Sequence, residues 1–343
     1  MVRLSTLFSV VAALTTCQAV RFLGRVDPEK KELTWPGTGV SFTFTGTSAS
    51  VAFTSVSGDN SVEVVVDDGI PTIIDNVSGT SIDTPALEQG QHIVNIRKRS
   101  EAGFGTLTVG EVTVTGGKLG CDTVPGKRIQ IIGDSITVGY GLDGTFPCTN
   151  TAALENAPKT YGALTAKNIS AEYDIIAWSG IGLTRNYMGS DDYPNMSQRW
   201  TRYGAHDTDN SYTFPASDTP DIVVINLGTN DFSYLGVRDR LNVETFTEAM
   251  VVFVQVVQGH YPKAEVFLTS SPMLGDSWPE GDLQHTTHAN AVKSVVDKIG
   301  NKVHFVEFPS QGSVVACDYH PVAEEHEKMA VILTSAIESV INA

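Results

Sequence analysis

The sequence predicts two domains: an all-β sandwich, followed by an α/β domain with a parallel sheet. The chain has 343 residues, which is long for one domain and sufficient for two hydrophobic cores. Short runs of alternating apolar and polar residues fill the first third, and apolar runs that alternate with helical patterns fill the rest. A stretch that contains Gly and Pro separates the two patterns.

The N-terminus, MVRLSTLFSVVAALTTCQAV, has the organisation of a secretory signal peptide. Arg3 gives a positive start, Leu7 to Leu14 is apolar, and Cys17 to Ala19 places small residues at a cleavage position. The apolar part is too short to span a bilayer comfortably. A buried N-terminal helix is the alternative interpretation. We expect residues 1–19 to be a signal peptide and the mature protein to be secreted and extracellular.

Residues 20–118 contain only strand-like patterns. Phe42, Phe44, Val51 and Phe53 alternate with Ser and Thr in SFTFTG and SVAFTSV, so one side of each strand is apolar. The runs SVEVVVDDG, HIVNIRKR and GTLTVGEVTVTGG are similar, and turn residues separate them. Short strands at close spacing, without a helical period between them, predict a β-sandwich accessory domain.

The stretch TGGKLGCDTVPGK marks the change of pattern, so we place a linker at 119–126 and the second domain at 127–343. Strand-like runs there are RIQII, YDIIAWS, DIVVINLG, AEVFLTSSPML and KVHFVEF. Helices are predicted at 159–169, over VETFTEAMVVFVQVVQG, and at 323–341. Apolar strands that alternate with helices indicate a parallel sheet covered on both faces.

The stretch from Asn186 to Thr219 has neither a strand nor a helix period and is rich in Tyr, Asp, Asn and Pro. A loop of this length inside a compact domain is usually functional or mobile. We therefore predict that this segment is functional or mobile.

The composition excludes several classes of function. A formal charge of −16 without a Lys/Arg-rich run disfavours binding to nucleic acid or to an anionic membrane surface. No CxxC pair or His-rich cluster indicates a metal site, and no cofactor is implied. Removal of the signal peptide leaves three cysteines, Cys121, Cys148 and Cys317, whose pairing the sequence does not determine. Three sequons permit glycosylation in a secretory route, at Asn76, Asn168 and Asn195.

Four motifs follow predicted strands, at the edge where parallel sheets bind ligands: GDSIT, WSGIG, LGTND and CDYHP. Each has a structural explanation when taken alone, because Ser135 can cap a helix, Asn230 can close a turn and His320 can be a loop residue. Together they supply a nucleophile, donors for an oxyanion, and a base with an aspartate beside it. This combination favours an acyl-transfer site.

In this order and spacing, the four blocks resemble those of the SGNH (GDSL-type) hydrolases. The first part of the chain, with LTWPGTGVSFTFTGTSASV, VVVDDG and LEQGQHIVNIRKRSEA, is similar to the accessory sandwich of family 2 carbohydrate esterases. The resemblance implies a three-layer SGNH-hydrolase fold with a parallel sheet, preceded by a jelly-roll-like sandwich. The Gly-x-Ser-x-Gly elbow of α/β-hydrolases is absent.

The resemblance also implies roles for individual residues. Ser135 is the expected nucleophile, His320 the base, and the oxyanion donors are the N–H groups of Ser135 and Gly180 with the Asn230 amide. Asp318 is the expected third member, although it stands two residues before the histidine instead of the usual three. A backbone carbonyl that orients the imidazole is the alternative. We interpret the remaining acid of the block, Asp134, as structural.

The implied activity is that of a metal-independent serine esterase that deacetylates plant cell-wall polysaccharide, acetylated xylan or glucomannan. We expect a monomer whose partner is the acetylated polysaccharide or oligosaccharide, with Trp200, Trp278 and Tyr187 as candidate sugar contacts. Two other functions stay open: an SGNH lipase or thioesterase, and a catalytically inactive carbohydrate-binding protein.

Overall fold

The computed structural model describes residues 18–122, 126–190, 192–233, 237–278 and 280–342. Most of the predicted signal peptide, residues 1–17, and residues 123–125 of the predicted linker lie outside this range. Gln18 is described and forms an antiparallel bridge with Asp122. The predicted signal peptide and linker boundaries therefore stay predictions.

The first domain is a sandwich of two antiparallel sheets, as predicted. Its strands are β1 (Arg21–Leu23), β2 (Glu32–Leu33), β3 (Gly39–Gly46), β4 (Ser48–Gly58), β5 (Val62–Val66), β6 (Thr72–Ile74), β7 (Ser81–Asp83), β8 (Gly90–Lys98), β9 (Gly105–Thr115) and β10 (Lys118–Leu119). One sheet has the order β1-β3-β8-β5-β6 with β10 beside β3, and the other has the order β2-β9-β4-β7. The alternating residues Phe42, Phe44, Val51 and Phe53 are buried between the sheets.

The second domain contains a five-stranded parallel sheet in the order β12-β11-β13-β14-β15. The strands are β11 (Lys127–Gly133), β12 (Ala171–Ala177), β13 (Ile222–Asn226), β14 (Glu265–Thr269) and β15 (Val303–Val306). The helices are α1 (Ser135–Val138), α2 (Tyr161–Asn168), α3 (Met196–Arg199), α4 (Thr229–Phe232), α5 (Val243–His260), α6 (Gln284–Ile299) and α7 (Ala323–Ile341). Single 3₁₀ turns lie at Ala157–Lys159, Ala216–Asp218 and Cys317–Tyr319.

Helices cover both faces of this sheet, which confirms the three-layer prediction. On one face, Ile129 and Ile131 of β11 share a core with α2 and with Leu333 of α7. On the other face, Ile132 shares a core with residues of α5 and α6, such as Phe246 and Val292. Helix α6 was not among the helices predicted from the sequence.

The two domains share a buried interface. Trp35 of the sandwich is fully buried within the core that lies under α5 and α6, and its indole N–H donates to the Tyr203 carbonyl at 2.8 Å. Arg25 places its guanidinium over the Tyr212 ring, 3.7 Å from the ring centroid. Arg21 donates to Glu172 of β12 at 2.7 Å. The sandwich is therefore packed into the second domain and completes its core.

The non-periodic segment 186–219 forms much of this interface. Besides Tyr203 and Tyr212, it contributes the Ala205 N–H, which donates to Thr34 of the sandwich at 3.0 Å, and His206, whose ring bonds the Ala102 carbonyl at 3.1 Å. A main role of this segment is thus to join the domains.

Truncation of Trp35 tests the shared core. We expect Trp35→Ala to lower the free energy of unfolding by about 3–5 kcal/mol, since the change leaves a cavity and an unpaired carbonyl inside the interface. Urea denaturation followed by circular dichroism measures this difference. Ile70→Ala is the matched control in the same domain, because Ile70 is 93% exposed. Equal, small losses in both variants would contradict the shared core.

Candidate active site

The predicted site residues lie at the carboxyl edge of the parallel sheet. Gly133, at the end of β11, pairs with Ala177 of β12 on one side and with Asn226 of β13 on the other. Ser135, Gly180 and Asn230 follow these three aligned strand ends within two to four residues. The register of the central strands therefore brings these three segments together.

The serine begins a single helical turn that Asp134 stabilises. The Asp134 carboxylate accepts a hydrogen bond from the Ile136 N–H at 3.1 Å and caps α1, as interpreted from the sequence. Ser135 is the first residue of α1, a position that has no intrahelical partner for its N–H. Within the described residues, neither the N–H nor the hydroxyl of Ser135 has a hydrogen-bond partner. Both groups are therefore available to a ligand.

Gly180 occupies the third position of a tight turn, which the Ile181 N–H closes by donating to the Trp178 carbonyl at 3.3 Å. The φ angle of Gly180 is +78°, in the left-handed region that favours glycine. Its carbonyl accepts from the Tyr187 N–H at 2.7 Å, whereas its own N–H has no partner among the described residues. The turn thus presents a second free backbone donor.

Asn230 links these two turns through its side-chain amide. The amide nitrogen donates to the Asp134 carboxylate at 3.3 Å and to the Ile181 carbonyl at 3.2 Å. Both distances are near the upper limit for a hydrogen bond. The Asn230 amide thus contacts both turns, but its hydrogens are already engaged, and a bound oxyanion would have to compete for them.

Asp231 and Gly228 shape the same block, and neither was among the site residues predicted from the sequence. The buried Asp231 carboxylate accepts from the backbone N–H groups of Leu183, Thr184 and Arg185, at 2.9, 2.6 and 3.1 Å. It therefore fixes the segment that follows Gly180. Gly228 has φ +126°, and a Cβ there would lie 2.2 Å from the buried His288 ring. Only glycine fits at this position.

The His320 ring is oriented by a backbone carbonyl. Its Nδ1 lies 3.3 Å from the Cys317 carbonyl oxygen. Because a carbonyl can only accept, this hydrogen bond places the proton on Nδ1 and leaves a lone pair on Nε2. The ring stacks on Tyr140 with centroids 4.1 Å apart, and the Tyr140 N–H donates to the Ser135 carbonyl at 3.1 Å.

Tyr140 thus connects the serine turn to the histidine. The Ser135 hydroxyl and the His320 ring make no hydrogen bond to each other within the described residues. Such bonds often form only when a substrate is bound, so the arrangement remains compatible with a Ser–His pair.

The structure does not pair Asp318 with the imidazole, which corrects the expectation of a third member. The Asp318 carboxylate accepts from the Tyr140 hydroxyl at 2.9 Å and from the Asn150 N–H at 3.2 Å. Asp318 has φ +50°, and this left-handed conformation, with the short spacing to His320, directs the carboxylate toward these two donors. The Cys317 carbonyl takes the orienting position instead, which is the alternative that the sequence left open.

A disulfide holds the histidine segment. Cys317 is bonded to Cys148, 169 residues earlier in the chain, and the Asp318 N–H donates to the Cys148 carbonyl at 3.1 Å. Cys121 is disulfide-bonded as well, so no described cysteine is a free thiol. The bond anchors the residue whose carbonyl orients His320.

Burial sets the protonation of the site. It lowers the pKa of His320 to about 4, so the imidazole is neutral across the ordinary pH range. Burial raises the pKa of Asp134 to about 7. Burial and the Asp318 carboxylate raise the pKa of Tyr140, so its hydroxyl stays a donor.

The candidate sugar-contacting aromatics separate into exposed and buried rings. Trp200 is fully buried, with its indole N–H bonded to Gln130 at 2.7 Å, so its prediction as a sugar contact is wrong. Tyr187 and Trp278 are 42% and 62% exposed. Sequence reasoning missed Tyr319, which is 65% exposed, adjoins His320 and lies 5.1 Å from the Phe146 ring. Its position directly before His320 was the available signal.

Two further searches concern ligands and membranes. Among the described residues, no group of three or more His, Cys, Asp and Glu side chains is placed to hold a metal ion. None of the helices in the described ranges is both long and apolar enough to cross a bilayer.

Comparison with known proteins places this fold and site in a class. Residues 131–330 match the GDSL-like lipase/acylhydrolase family, and residues 22–120 match the family described as carbohydrate esterase 2 N-terminal. The second domain is therefore that of a GDSL-like hydrolase.

A crystal structure of a family 2 carbohydrate esterase with a carbohydrate-binding domain, from Myceliophthora fergusii, is 56% identical, with a TM-score of 0.92. The alignment covers 94% of this chain and 100% of that one. The chain belongs to carbohydrate esterase family 2.

Two curated relatives are bacterial. The cellulase/esterase CelE of Acetivibrio thermocellus is 34% identical over 91% of this chain, which spans only 38% of the length of that relative. An acetylxylan esterase/glucomannan deacetylase of Cellvibrio japonicus is 28% identical, over 94% of this chain and 89% of its own length.

Replacement of Asp318 tests how His320 is oriented. We expect Asp318→Asn to retain esterase activity within about tenfold of the wild type, because the Cys317 carbonyl bonds Nδ1. In serine hydrolases whose aspartate holds the histidine, the same change costs roughly 10⁴-fold in kcat. Steady-state kinetics with an acetyl ester separates the two cases. A loss of a thousandfold or more would show that Asp318 orients the imidazole.

Proposed function

We propose that this chain is a serine esterase that removes O-acetyl groups from plant cell-wall polysaccharides, acetylated xylan or glucomannan, through an acetyl-serine intermediate. One observation carries the proposal: the free N–H groups of Ser135 and Gly180 lie at adjacent strand ends, beside the Ser135 hydroxyl. A histidine with an available Nε2 completes the set. The name of the Cellvibrio relative supports the acetylated glycan as substrate.

The geometry suggests a two-step mechanism. Ser135 Oγ attacks the acetyl carbonyl while His320 Nε2 takes the hydroxyl proton. The oxyanion accepts hydrogen bonds from the N–H groups of Ser135 and Gly180, with the Asn230 amide beside them. Loss of one such donor typically costs about 3 kcal/mol of transition-state stabilisation. The tetrahedral intermediate then expels the sugar alcohol, which receives the proton from His320.

Water completes the cycle. His320 removes a proton from a water molecule, which attacks the acetyl-serine, and acetate leaves as Ser135 regains its proton. A second sugar hydroxyl in place of water gives transacetylation by the same steps.

The exposed rings near the site suit a sugar ligand. Tyr187, Tyr319, Phe146 and Trp278 are solvent-exposed aromatic residues on the loops around the carboxyl edge of the sheet. A flat ring can cover the apolar face of a pyranose, so we assign these four to glycan binding.

A hollow beside the histidine segment favours the competing esterase function. Phe146, Val314, Val315 and Val322 line it, with a volume of about 350 Å³ and a largely apolar surface. A longer acyl chain is the ligand that such a hollow would suit. Acyl-chain preference therefore decides between an acetyl esterase and a lipase or thioesterase.

We also propose that the protein is secreted. The N-terminal sequence and the Cys148–Cys317 disulfide both fit an oxidising compartment. The sequons at Asn76 and Asn168 are exposed and accessible to glycosylation.

Replacement of the nucleophile tests the function directly. We expect the wild type to release acetate from acetylated xylan or glucomannan and to prefer nitrophenyl acetate over the octanoate. Ser135→Ala should abolish both activities, since no other described hydroxyl follows β11 in this position. Asn168→Gln, at an exposed site, is the control for handling and folding. Retained activity in Ser135→Ala would refute the mechanism, and preference for octanoate would favour the lipase.

The protonation of His320 predicts the pH profile. His320 must be neutral to accept a proton, so the loss of kcat/KM that protonation of His320 causes should appear only as pH drops through about 4. Tyr140→Ala exposes the ring, and its profile should fall nearer pH 6, closer to the unperturbed value for histidine. An acid limb near 6 in the wild type would contradict the effect of burial.

A further inference from the structure

We infer that Glu101, a residue of the accessory sandwich, is a positioning residue for the oxyanion hole of the second domain. The inference depends on the proposed function, because it assigns Glu101 a role toward the Gly180 donor. Glu101 lies in the loop between β8 and β9 and is only 5% exposed.

Glu101 bonds the peptide directly before the oxyanion donor. Its carboxylate accepts from the Ser179 N–H at 2.8 Å, across the domain boundary. Ser179 and Gly180 are the two central residues of the turn that ends at Ile181, and the closing bond of this turn is long, at 3.3 Å. On the other side, Tyr187 holds the Gly180 carbonyl. The direction of the Gly180 N–H is therefore set between Tyr187 and Glu101.

The same residue reaches the histidine side of the site. The Glu101 N–H donates to the Glu155 carboxylate at 2.6 Å, and Glu155 accepts from the Asn150 amide at 2.7 Å. The Asn150 oxygen accepts from the Gly141 N–H at 2.8 Å, and the Asn150 N–H donates to Asp318. Hydrogen bonds thus link the β8–β9 loop to the Gly180 turn on one side and, through Glu155 and Asn150, to the segment that carries Tyr140 on the other.

The hydrogen bond from the Ser179 N–H shows that the Glu101 carboxyl group acts as an acceptor there. Lys98 donates to the carbonyl oxygens of Ser100 and Glu101, at 2.7 and 2.9 Å. Burial lowers the pKa of Lys98 to about 7 and raises the pKa values of Glu101 and Glu155. A carboxyl oxygen accepts from Ser179 in either protonation state. The position should therefore tolerate an uncharged acceptor of the same length.

Another buried glutamate at this interface provides a matched control. Glu172 lies at the opposite, amino end of β12, where it pairs with Arg21 and Arg97 of the sandwich. It joins the same two domains through the same strand, but away from the catalytic edge. Glu172→Gln should therefore weaken the interface without altering Gly180.

The experiment compares Glu101→Ala, Glu101→Asp and Glu101→Gln by steady-state kinetics with an acetyl ester and by thermal denaturation. We expect the Ala and Asp variants to lose at least about tenfold in kcat, with KM within about twofold, because oxyanion donors act on the transition state. Glu101→Gln retains the acceptor and should stay within about threefold of wild-type kcat. Glu172→Gln should lower the melting temperature with little change in kcat.

Two results would overturn the inference: wild-type kcat in a folded Glu101→Asp protein, or a Gln variant as impaired as Asp. If Glu101→Ala does not fold, the comparison of Asp with Gln still decides. Ser135→Ala separates this inference from the proposed function. An active Ser135→Ala protein refutes the function, whereas an inactive one beside an unaffected Glu101→Asp refutes only the role of Glu101.

Discussion

The hydrogen-bonded register of three parallel strands is the constraint on which the site depends. Gly133 lies between Ala177 and Asn226, so the chain leaves three neighbouring strands at one level. The three segments that follow these strands therefore lie close together. The Asn230 amide donates to Asp134 in one of the other two segments and to the Ile181 carbonyl in the other. His320 comes from the C-terminal part of the chain. Its ring stacks on Tyr140, and the Cys148–Cys317 disulfide anchors the segment that carries it. The strand register thus positions Ser135, Gly180 and Asn230, whereas ring stacking and a disulfide position His320.

The strands, two of the long helices and the four motif blocks were predictable because each has a clear local pattern. Helix α6 was not, since its buried face includes the polar residues Gln284, His285 and His288, and few of its residues are strongly apolar. Trp200 was misassigned because the residues that bury its ring, such as Gln130 and Phe253, are distant in the chain and leave no local mark in a segment without periodicity. Which acceptor His320 uses depends on left-handed angles at Asp318, and neighbouring residue types do not determine these.

The accessory domain and the catalytic domain form one physical unit. Trp35 supplies core volume, Arg25 and Arg21 supply buried charge pairs, and Glu101 bonds the Ser179 peptide. Sequence patterns place a boundary between the domains, but this boundary does not make each domain stable on its own. If either domain were isolated, Trp35 and the apolar residues packed around it would be exposed to water, and the stabilisation from their burial would be lost. If the second domain were expressed alone, its core would lack Trp35 and would be partly exposed to solvent.

Because of the disulfide between Cys148 and Cys317, the structure of the active site depends on the redox state of the medium. In a reducing medium this disulfide does not form, and the segment that bears His320 then loses its covalent link to residue 148. The protein would then contain all of its reactive groups, but the position of the His320 imidazole would be less well fixed. An oxidising medium allows the disulfide to form and to anchor this segment. Hydrolysis should therefore be faster where the disulfide has formed than under reducing conditions.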